Sequence, residues 1–170
     1  RDRTGAHIYL GDKAEAEYDF MPVKDGDVVE FGDVRLKIME TPGHTPEGIS
    51  ILVYDLDKSE SDPHAVLTGD TLLIRGTGRT DFQNGDAGAQ YDSLFGRLLK
   101  LPEPTLVYPA HDYNGMTVSS IGEEKRHNPR LQVTDRTAYI AMMDGLVLDN
   151  PKMMDIAVPA NRKCGLANVA

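Results

Sequence analysis

Three short segments of the chain share one pattern, in which a run typical of a β-strand ends in a small or turn-forming residue and a metal-competent side chain follows. They occupy residues 39–44, 67–70 and 108–112, and the side chains concerned are His44, Asp70 and His111. Loops that follow strands are held by a rigid sheet while they stay open to ligands, so they commonly carry functional sites. The pattern predicts a sheet that assembles one polar site from residues distant in sequence.

Alternation of apolar and polar residues indicates β-structure in the first part of the chain. Over residues 34–39, three aliphatic side chains alternate with Arg35 and Lys37, which gives a strand one buried and one solvated face. The same reasoning predicts strands at residues 7–10, 28–31, 49–54, 65–68 and 106–108. Residues 55–63 are rich in charge, serine and proline and are predicted to form an exposed hairpin loop, with His64 at its edge on the surface.

Helical spacing is more prominent in the second part of the chain. Apolar side chains recur at helical intervals over residues 91–99, and Pro102 marks the end of that helix. Further helices are predicted over residues 118–127 and after Thr134, whose side chain would cap the second of them. The segment from residue 149 onward is expected to be irregular. Because neither a repeat nor a linker is evident, residues 1–170 are expected to form a single layered α/β or α+β domain.

Composition excludes several classes of function. The formal net charge of −9 argues against a general affinity for nucleic acid or for an anionic membrane. No apolar run approaches the roughly 18 residues that a transmembrane helix needs. A single cysteine, Cys164, rules out an internal disulfide and any all-thiolate metal site, and it fits a reducing compartment. A metal site in this chain would therefore use His, Asp and Glu.

Imidazole and carboxylate ligands together suit zinc, manganese or ferrous iron. Each of the three segments has a simpler interpretation when taken alone. A histidine after a Pro-Gly turn is commonly a surface residue, an aspartate after a strand is commonly a turn or cap residue, and a His-Asp pair is common in surface loops. Only their joint occurrence favours a metal site.

Three motifs resemble those of a known superfamily. The sequences TPGHTPE at residues 41–47, LTGDTL at 67–72 and YPAHDY at 108–113 resemble the later motifs of the metallo-β-lactamase superfamily. This resemblance implies an α+β fold, the αββα sandwich, with its metal site along one edge. The runs LIRGTGRTDFQ at residues 73–83, NPRL at 128–131 and VPAN at 158–161 resemble, more narrowly, the persulfide dioxygenases of the ETHE1-like group.

The narrower resemblance implies a specific chemistry. Members of that group oxidise glutathione persulfide with O₂ to sulfite and glutathione at one non-haem Fe(II), which two histidines and one aspartate hold. His44 and Asp70 match the second histidine and the carboxylate of this triad. Such a triad leaves one face of the octahedron open to substrate and O₂.

The resemblance also implies roles for three other residues. His111 is expected in the active site beside the iron without binding it, although in binuclear relatives the matching histidine binds a second metal. Tyr113 matches a tyrosine whose hydroxyl could reach the substrate, the alternative being a packed aromatic residue. Arg130 matches a residue near the glutathione pocket, where it could grip a carboxylate, the alternative being a surface salt bridge.

Further residues near these motifs are expected to have structural roles. Arg79 and Asp81 are expected to form a buried ion pair that holds the loop after Asp70. Cys164 is expected to be passive or to line the pocket. Thr77 stands where many relatives carry cysteine, which weakens any hypothesis of thiol regulation there.

The first metal-binding motif of the superfamily, HxHxDH, has no counterpart in the sequence. We therefore expect the chain to be the C-terminal portion of the domain, with the missing N-terminal part as its partner and the source of the first histidine ligand. Two protein ligands hold ferrous iron weakly, so the chain alone is expected to bind iron poorly and to lack activity.

Two alternatives remain open. A glyoxalase II-like hydrolase of glutathione thioesters would use a binuclear centre that includes zinc, with Asp70 bridging the two metals. A non-catalytic binding fragment would use no metal chemistry. An RNA-processing or lactam-cleaving function fits the acidic charge and the segments after residue 72 poorly. A homodimer is possible, and the compartment would be the cytoplasm in bacteria or the mitochondrial matrix in eukaryotes.

Overall fold

A computed structural model describes residues 4–82, 84–149 and 152–163. The strands in this part of the chain are β1 (Tyr9–Gly11), β2 (Met21–Val23), β3 (Val28–Phe31), β4 (Val34–Glu40), β5 (Ile49–Asp55), β6 (Ala65–Gly69), β7 (Leu72–Leu73), β8 (Gly76–Thr77), β9 (Leu106–Pro109) and β10 (Ser119–Ser120). Six of them form one sheet in the order β10-β9-β6-β5-β4-β3. The pairs β1–β2 and β7–β8 form separate two-stranded sheets.

The large sheet is antiparallel except where β6 and β9 run parallel. Side chains alternate between its two faces, as the periodicity predicts: Ser50, Leu52 and Tyr54 of β5 are buried, and the residues between them are only partly buried. The strands predicted from residue 28 to residue 108 are confirmed to within one residue, and so is the hairpin loop between β5 and β6. The predicted strand at residues 7–10 begins two residues later than expected, at Tyr9.

The helices are α1 (Ala87–Gly96), α2 (Ile121–His127), α3 (Arg136–Asp144) and α4 (Met154–Arg162). Short 3₁₀ turns cover Leu98–Lys100 and Pro129–Gln132. The prediction that a helix starts at residue 118 was wrong, because Ser119 and Ser120 pair with β9 and the Ser120 hydroxyl then caps α2. Thr134 is not the cap of α3; the Asp135 side chain accepts from the Ala138 N–H instead.

The prediction of irregular structure after residue 149 was also wrong, because α4 forms there despite the internal Pro159. Two long-range contacts hold this helix to the N-terminal segment. The Glu17 N–H donates to the carbonyl of Arg162, and the Arg162 guanidinium donates to the carbonyl of Glu15. These tertiary contacts outweigh the low local helix propensity that the sequence indicates.

The hydrophobic core lies between one face of the large sheet and helices α1–α3. It is formed by the buried side chains Leu52, Tyr54, Val66, Leu72, Ala87, Leu94, Leu98, Val107, Ile121, Leu131, Tyr139 and Met143. This arrangement confirms the α+β fold class. None of the helices in the described part of the chain has the length and apolar character needed to cross a lipid bilayer.

The opposite face of the sheet is apolar and partly exposed. Leu67 pairs with Ile51 on one side and Tyr108 on the other, so the three side chains share this face. Leu67 and Tyr108 are 40% and 39% exposed. The second large sheet that a complete αββα sandwich would pack here is not among the described residues.

Candidate metal centre

A cavity of about 840 Å³ opens where β4, β6 and β9 end. Its lining includes all five of the residues that the sequence pointed to: His44, Asp70, His111, Tyr113 and Arg130. The three strand-end segments therefore meet at one edge of the sheet, although the residues that they carry are separated by 26 to 67 positions in the chain.

His44 follows a glycine that no other residue could replace without a clash. Gly43 has a φ of 143°, and a Cβ at this position would lie 2.4 Å from the Cα of Gln90 on α1. The Nδ1 atom of His44 lies 2.7 Å from the backbone carbonyl oxygen of Arg79. A carbonyl can only accept, so Nδ1 carries a proton, and in the neutral form of the ring Nε2 then has the lone pair. That lone pair is what a metal requires of a neutral histidine.

Asp70 follows Gly69, which adopts a φ of 52° at the end of β6. One carboxylate oxygen of Asp70 lies 2.6 Å from Nδ1 of His111. The other lies 3.8 Å from Nε2 of His44. His111 thus orients the Asp70 carboxylate through the oxygen other than the one that faces His44.

A single metal ion fits between His44 and Asp70. Metal bonds to histidine nitrogen and carboxylate oxygen are about 2.0–2.2 Å long, so one ion can contact two atoms that lie 3.8 Å apart. The hydrogen bond from His44 to a backbone carbonyl is also the usual support of a metal-binding imidazole. Within the described ranges, however, no cluster of three or more His, Cys, Asp and Glu side chains is arranged to hold a metal. The residues present therefore fit part of a metal site.

His111 and Tyr113 lie at the outer rim of the cavity. The His111 side chain is 56% exposed, and its ring stacks on that of Tyr113 with the centroids 6.2 Å apart. Tyr113 is 80% exposed among the described residues, which favours a role at the cavity over that of a packed aromatic residue.

Arg130 lies deeper in the cavity wall, at the 3₁₀ turn that follows α2. Its Nη1 donates to the carbonyl oxygen of Thr77 at 2.6 Å and to the Thr77 hydroxyl at 3.0 Å. Burial lowers the pKa of the Arg130 guanidinium below its usual range. Among the described residues no carboxylate pairs with Arg130, which favours a role in the cavity over a surface salt bridge.

Arg79 and Asp81 do form an ion pair, through two hydrogen bonds. The expectation that this pair is buried was wrong in part: the Arg79 side chain is 14% exposed and that of Asp81 is 37% exposed. The hydrogen bonds from Arg79 hold the pKa of Asp81 below its usual range, against a smaller desolvation effect. Arg79 also donates to the carbonyl of Asp149 and lies over the ring of Phe82, so the loop is tied to two other parts of the cavity wall.

Sequence reasoning missed the contribution of Gly78. A Cβ at this position would lie 2.0 Å from the Asp70 carbonyl oxygen and 3.1 Å from the His44 ring. The available signal was the pair of glycines that flank Thr77, which indicates close backbone approach. Cys164, expected to be passive or to line the pocket, lies outside the described residues.

Comparison with known proteins identifies the family and the fold of this chain. The profile of the family described as the metallo-beta-lactamase superfamily matches residues 11–111. The mitochondrial persulfide dioxygenase ETHE1 of Bos taurus is 43% identical over 144 residues, which cover 85% of this chain and 54% of that protein. The chain thus spans about half the length of the curated relatives that it matches.

Two solved structures are similar. ETHE1 from Myxococcus xanthus superposes with a TM-score of 0.88 at 48% identity, over 98% of this chain and 69% of that chain. A metallo-beta-lactamase from Staphylococcus aureus shares the fold at 22% identity with a TM-score of 0.85, over 99% of this chain and 54% of that chain.

Proposed function

The chain belongs to the metallo-beta-lactamase superfamily, within its ETHE1-like group, and from this premise we propose that it carries part of the active site of a persulfide dioxygenase. The observation that supports this most is the convergence of His44 Nε2 and Asp70 Oδ2, 3.8 Å apart at the open end of the sheet. Together they supply two of the three protein ligands of a facial triad. The third would come from the remaining part of the domain.

In the proposed reaction, glutathione persulfide is oxidised by O₂. The outer sulfur becomes sulfite, the sulfur–sulfur bond breaks, and glutathione leaves as the thiol. Both atoms of O₂ enter sulfite, and water supplies its remaining oxygen and the protons released. Ferrous iron, when bound at His44 and Asp70, would supply the centre at which the sulfur and O₂ meet.

The protein groups would orient and anchor the reactants. His111 would hold the Asp70 carboxylate in place through the hydrogen bond between its Nδ1 and one carboxylate oxygen. The Tyr113 hydroxyl at the rim would reach the bound sulfur. Arg130 would bind a carboxylate of glutathione through its guanidinium.

The wider assignments are proposals of the same kind. We propose that residues 1–170 belong to a single domain, that the chain binds iron weakly without its N-terminal part, and that the complete protein can form a homodimer. We further propose that it acts in the cytoplasm if bacterial and in the mitochondrial matrix if eukaryotic.

The test is metal analysis and turnover of the full product of the gene, loaded anaerobically with iron. We expect one iron per chain, with O₂ uptake and sulfite release from glutathione persulfide. H44A and D70N are expected to lose iron and activity together. H64A, which alters an exposed histidine away from the cavity, is the matched control and should behave as wild type.

Two results would overturn the proposal. Two metal ions per chain, zinc among them, with hydrolysis of a glutathione thioester would establish the glyoxalase II-like function instead. Glutathione binding with neither iron binding nor turnover would establish a non-catalytic binding protein.

A further inference from the structure

A buried chain of polar side chains runs behind Arg130, joining four separate elements of the fold. The Thr77 hydroxyl lies 3.3 Å from the Tyr139 hydroxyl, which donates to the side-chain oxygen of Gln90 at 3.2 Å. The side-chain nitrogen of Gln90 donates in turn to the carbonyl of Gly78 at 3.0 Å. Gln90 and Tyr139 are fully buried, and Thr77 is 3% exposed. Neither Gln90 nor Tyr139 lines the cavity.

The chemistry of these groups allows only one direction of donation. Arg130 can only donate, so the Thr77 hydroxyl accepts from it. The side-chain oxygen of Gln90 can only accept, so the single proton of the Tyr139 hydroxyl goes there. The Thr77 hydroxyl therefore donates its own proton away from Arg130, and the Tyr139 oxygen at 3.3 Å is a nearer acceptor than the Gly78 carbonyl at 3.4 Å or the Met143 sulfur at 3.9 Å.

Position 77 consequently needs a group that accepts on one side and donates on the other. A hydroxyl does both, whereas valine does neither and a thiol does both weakly. Hydrogen bonds arranged in one direction polarise and strengthen one another in a low-dielectric interior. The hydroxyl thus holds one edge of the Arg130 guanidinium against β8.

The other edge of the guanidinium is available to a ligand. Of the five N–H donors of an arginine, the two on Nη1 of Arg130 bond Thr77. The remaining three have no partner in the described part of the chain, and Arg130 lines the cavity. An oriented guanidinium without a carboxylate partner suits bidentate binding of an anionic group.

We infer that Thr77, supported by Tyr139 and Gln90, is a positioning residue that fixes the Arg130 guanidinium for recognition of a substrate carboxylate. The inference rests on the proposed function, in which glutathione supplies that carboxylate. The same chain ends at Gly78, which packs on the His44 ring, so the anion-binding group and the metal ligand are held by one buried network.

The test compares variants of Thr77 and Tyr139 in the full product of the gene. The first readout is calorimetric titration of the metal-free protein with glutathione. T77V removes the hydroxyl and keeps the shape, and we expect it to weaken glutathione binding about five- to tenfold. T77S keeps the hydroxyl and should bind within about twofold of wild type. Y139F keeps the aromatic ring and removes the hydroxyl that contacts Thr77, so we expect it to weaken glutathione binding about threefold.

Two further measurements separate positioning from general loss of structure. In the iron-loaded enzyme, T77V should raise KM for glutathione persulfide by the same factor while kcat stays within about twofold. T105V removes another buried threonine hydroxyl, which bonds the carbonyl of Pro63 at the other end of the sheet, and it should leave binding and KM unchanged.

The outcomes distinguish this inference from the function on which it rests. Glutathione binding by T77V and Y139F that equals that of wild type would overturn the inference, and so would a T77S variant as weak as T77V. Failure of the wild-type protein to bind glutathione would overturn the inference and the proposed substrate together. If the wild-type protein binds glutathione but does not turn over glutathione persulfide, the proposed reaction is contradicted. The glutathione affinity of T77V still tests the positioning role in that case.

Discussion

Nδ1 of His44 donates a 2.7 Å hydrogen bond to the backbone carbonyl of Arg79, 35 residues further along the chain. The direction of Nε2 of His44, the proposed metal ligand, therefore depends on where the Arg79 backbone lies. The Arg79 side chain sets that position, because it holds Asp81 and the carbonyl of Asp149 at the same time. Arg79, which is not a metal ligand, thereby orients the proposed metal ligand His44.

Replacing Arg79 by methionine is expected to weaken metal binding about tenfold, because groups that orient metal ligands commonly contribute that much to affinity. The variant keeps the backbone carbonyl but frees the loop from Asp81 and from the segment at residues 148–149. Competition with a chromogenic chelator for Fe(II) in the full product of the gene would measure the change.

The matched control for this prediction is R35M, which removes another arginine from an ion pair, the one with Glu30 on the β3–β4 hairpin. Its metal affinity should stay within about twofold of wild type. Equal affinities for R79M and wild type would show that the His44 imidazole is oriented independently of the Arg79 side chain.

Replacing Gly78 by alanine should disrupt the metal site sterically. The new Cβ would meet the Asp70 carbonyl oxygen at 2.0 Å and the His44 ring at 3.1 Å, so both residues must move. We expect at least a tenfold loss of metal affinity, measured by the same competition, and a loss of about 1–3 kcal/mol in the free energy of unfolding. In G96A the added Cβ meets nothing within 4 Å, so neither quantity should fall. Wild-type metal affinity in G78A would contradict this account of the packing.

Loss of Glu124 should destabilise the fold strongly. It is fully buried and accepts from the backbone and side chain of Arg75, the Ser119 hydroxyl and the Asn128 side chain. E124A would remove the buried carboxylate from Arg75, leaving that cation with only the half-exposed Glu123, and would take the acceptor from Ser119 and Asn128. We expect a cost of about 3–5 kcal/mol in urea unfolding.

The comparison for E124A is E103A, which breaks a pair with Arg126 in which both side chains are more than half exposed. Exposed pairs contribute about 0–1 kcal/mol, so this variant should remain close to wild type. An E124A variant that lost no more stability than E103A would show that the buried carboxylate is not needed.

The pair between Arg79 and Asp81 predicts how stability depends on pH. Because Arg79 lowers the pKa of Asp81 in the folded protein, the unfolded chain binds a proton at this carboxyl at a higher pH than the folded chain does. The stability that the pair contributes is present above the unfolded pKa of about 3.9 and is lost as pH falls through the lower folded pKa.

Denaturant unfolding between pH 5 and pH 2 would measure this contribution. The free energy of unfolding should fall more steeply with decreasing pH in the wild type than in D81N. R79M should show the same shallower dependence as D81N, since either change removes the pair. Identical slopes in all three proteins would mean that the pair does not affect stability.

The local sequence pattern was sufficient to predict most of the sheet. One face of β4 and of β5 packs on the core, and the alternation of residues along these strands reflects it. The pattern failed at Thr134, where the neighbouring Asp135 caps the helix instead, and at Ser119 and Ser120, which pair with β9 before α2 begins. It failed again at α4. The contacts of Arg162 with the segment at residues 15–17 join parts of the chain that lie too far apart for a local sequence pattern to show them.

The three segments that end in His44, Asp70 and His111 were recognisable from sequence alone, since residue type and a preceding turn are local properties. Only the tertiary structure decided what each of these side chains does. The proton on His44 is set by a carbonyl from a distant loop, and His111 is directed to the Asp70 carboxylate. Packing selects hydrogen-bond partners that lie far apart in the chain, and a local sequence pattern holds no information about that selection.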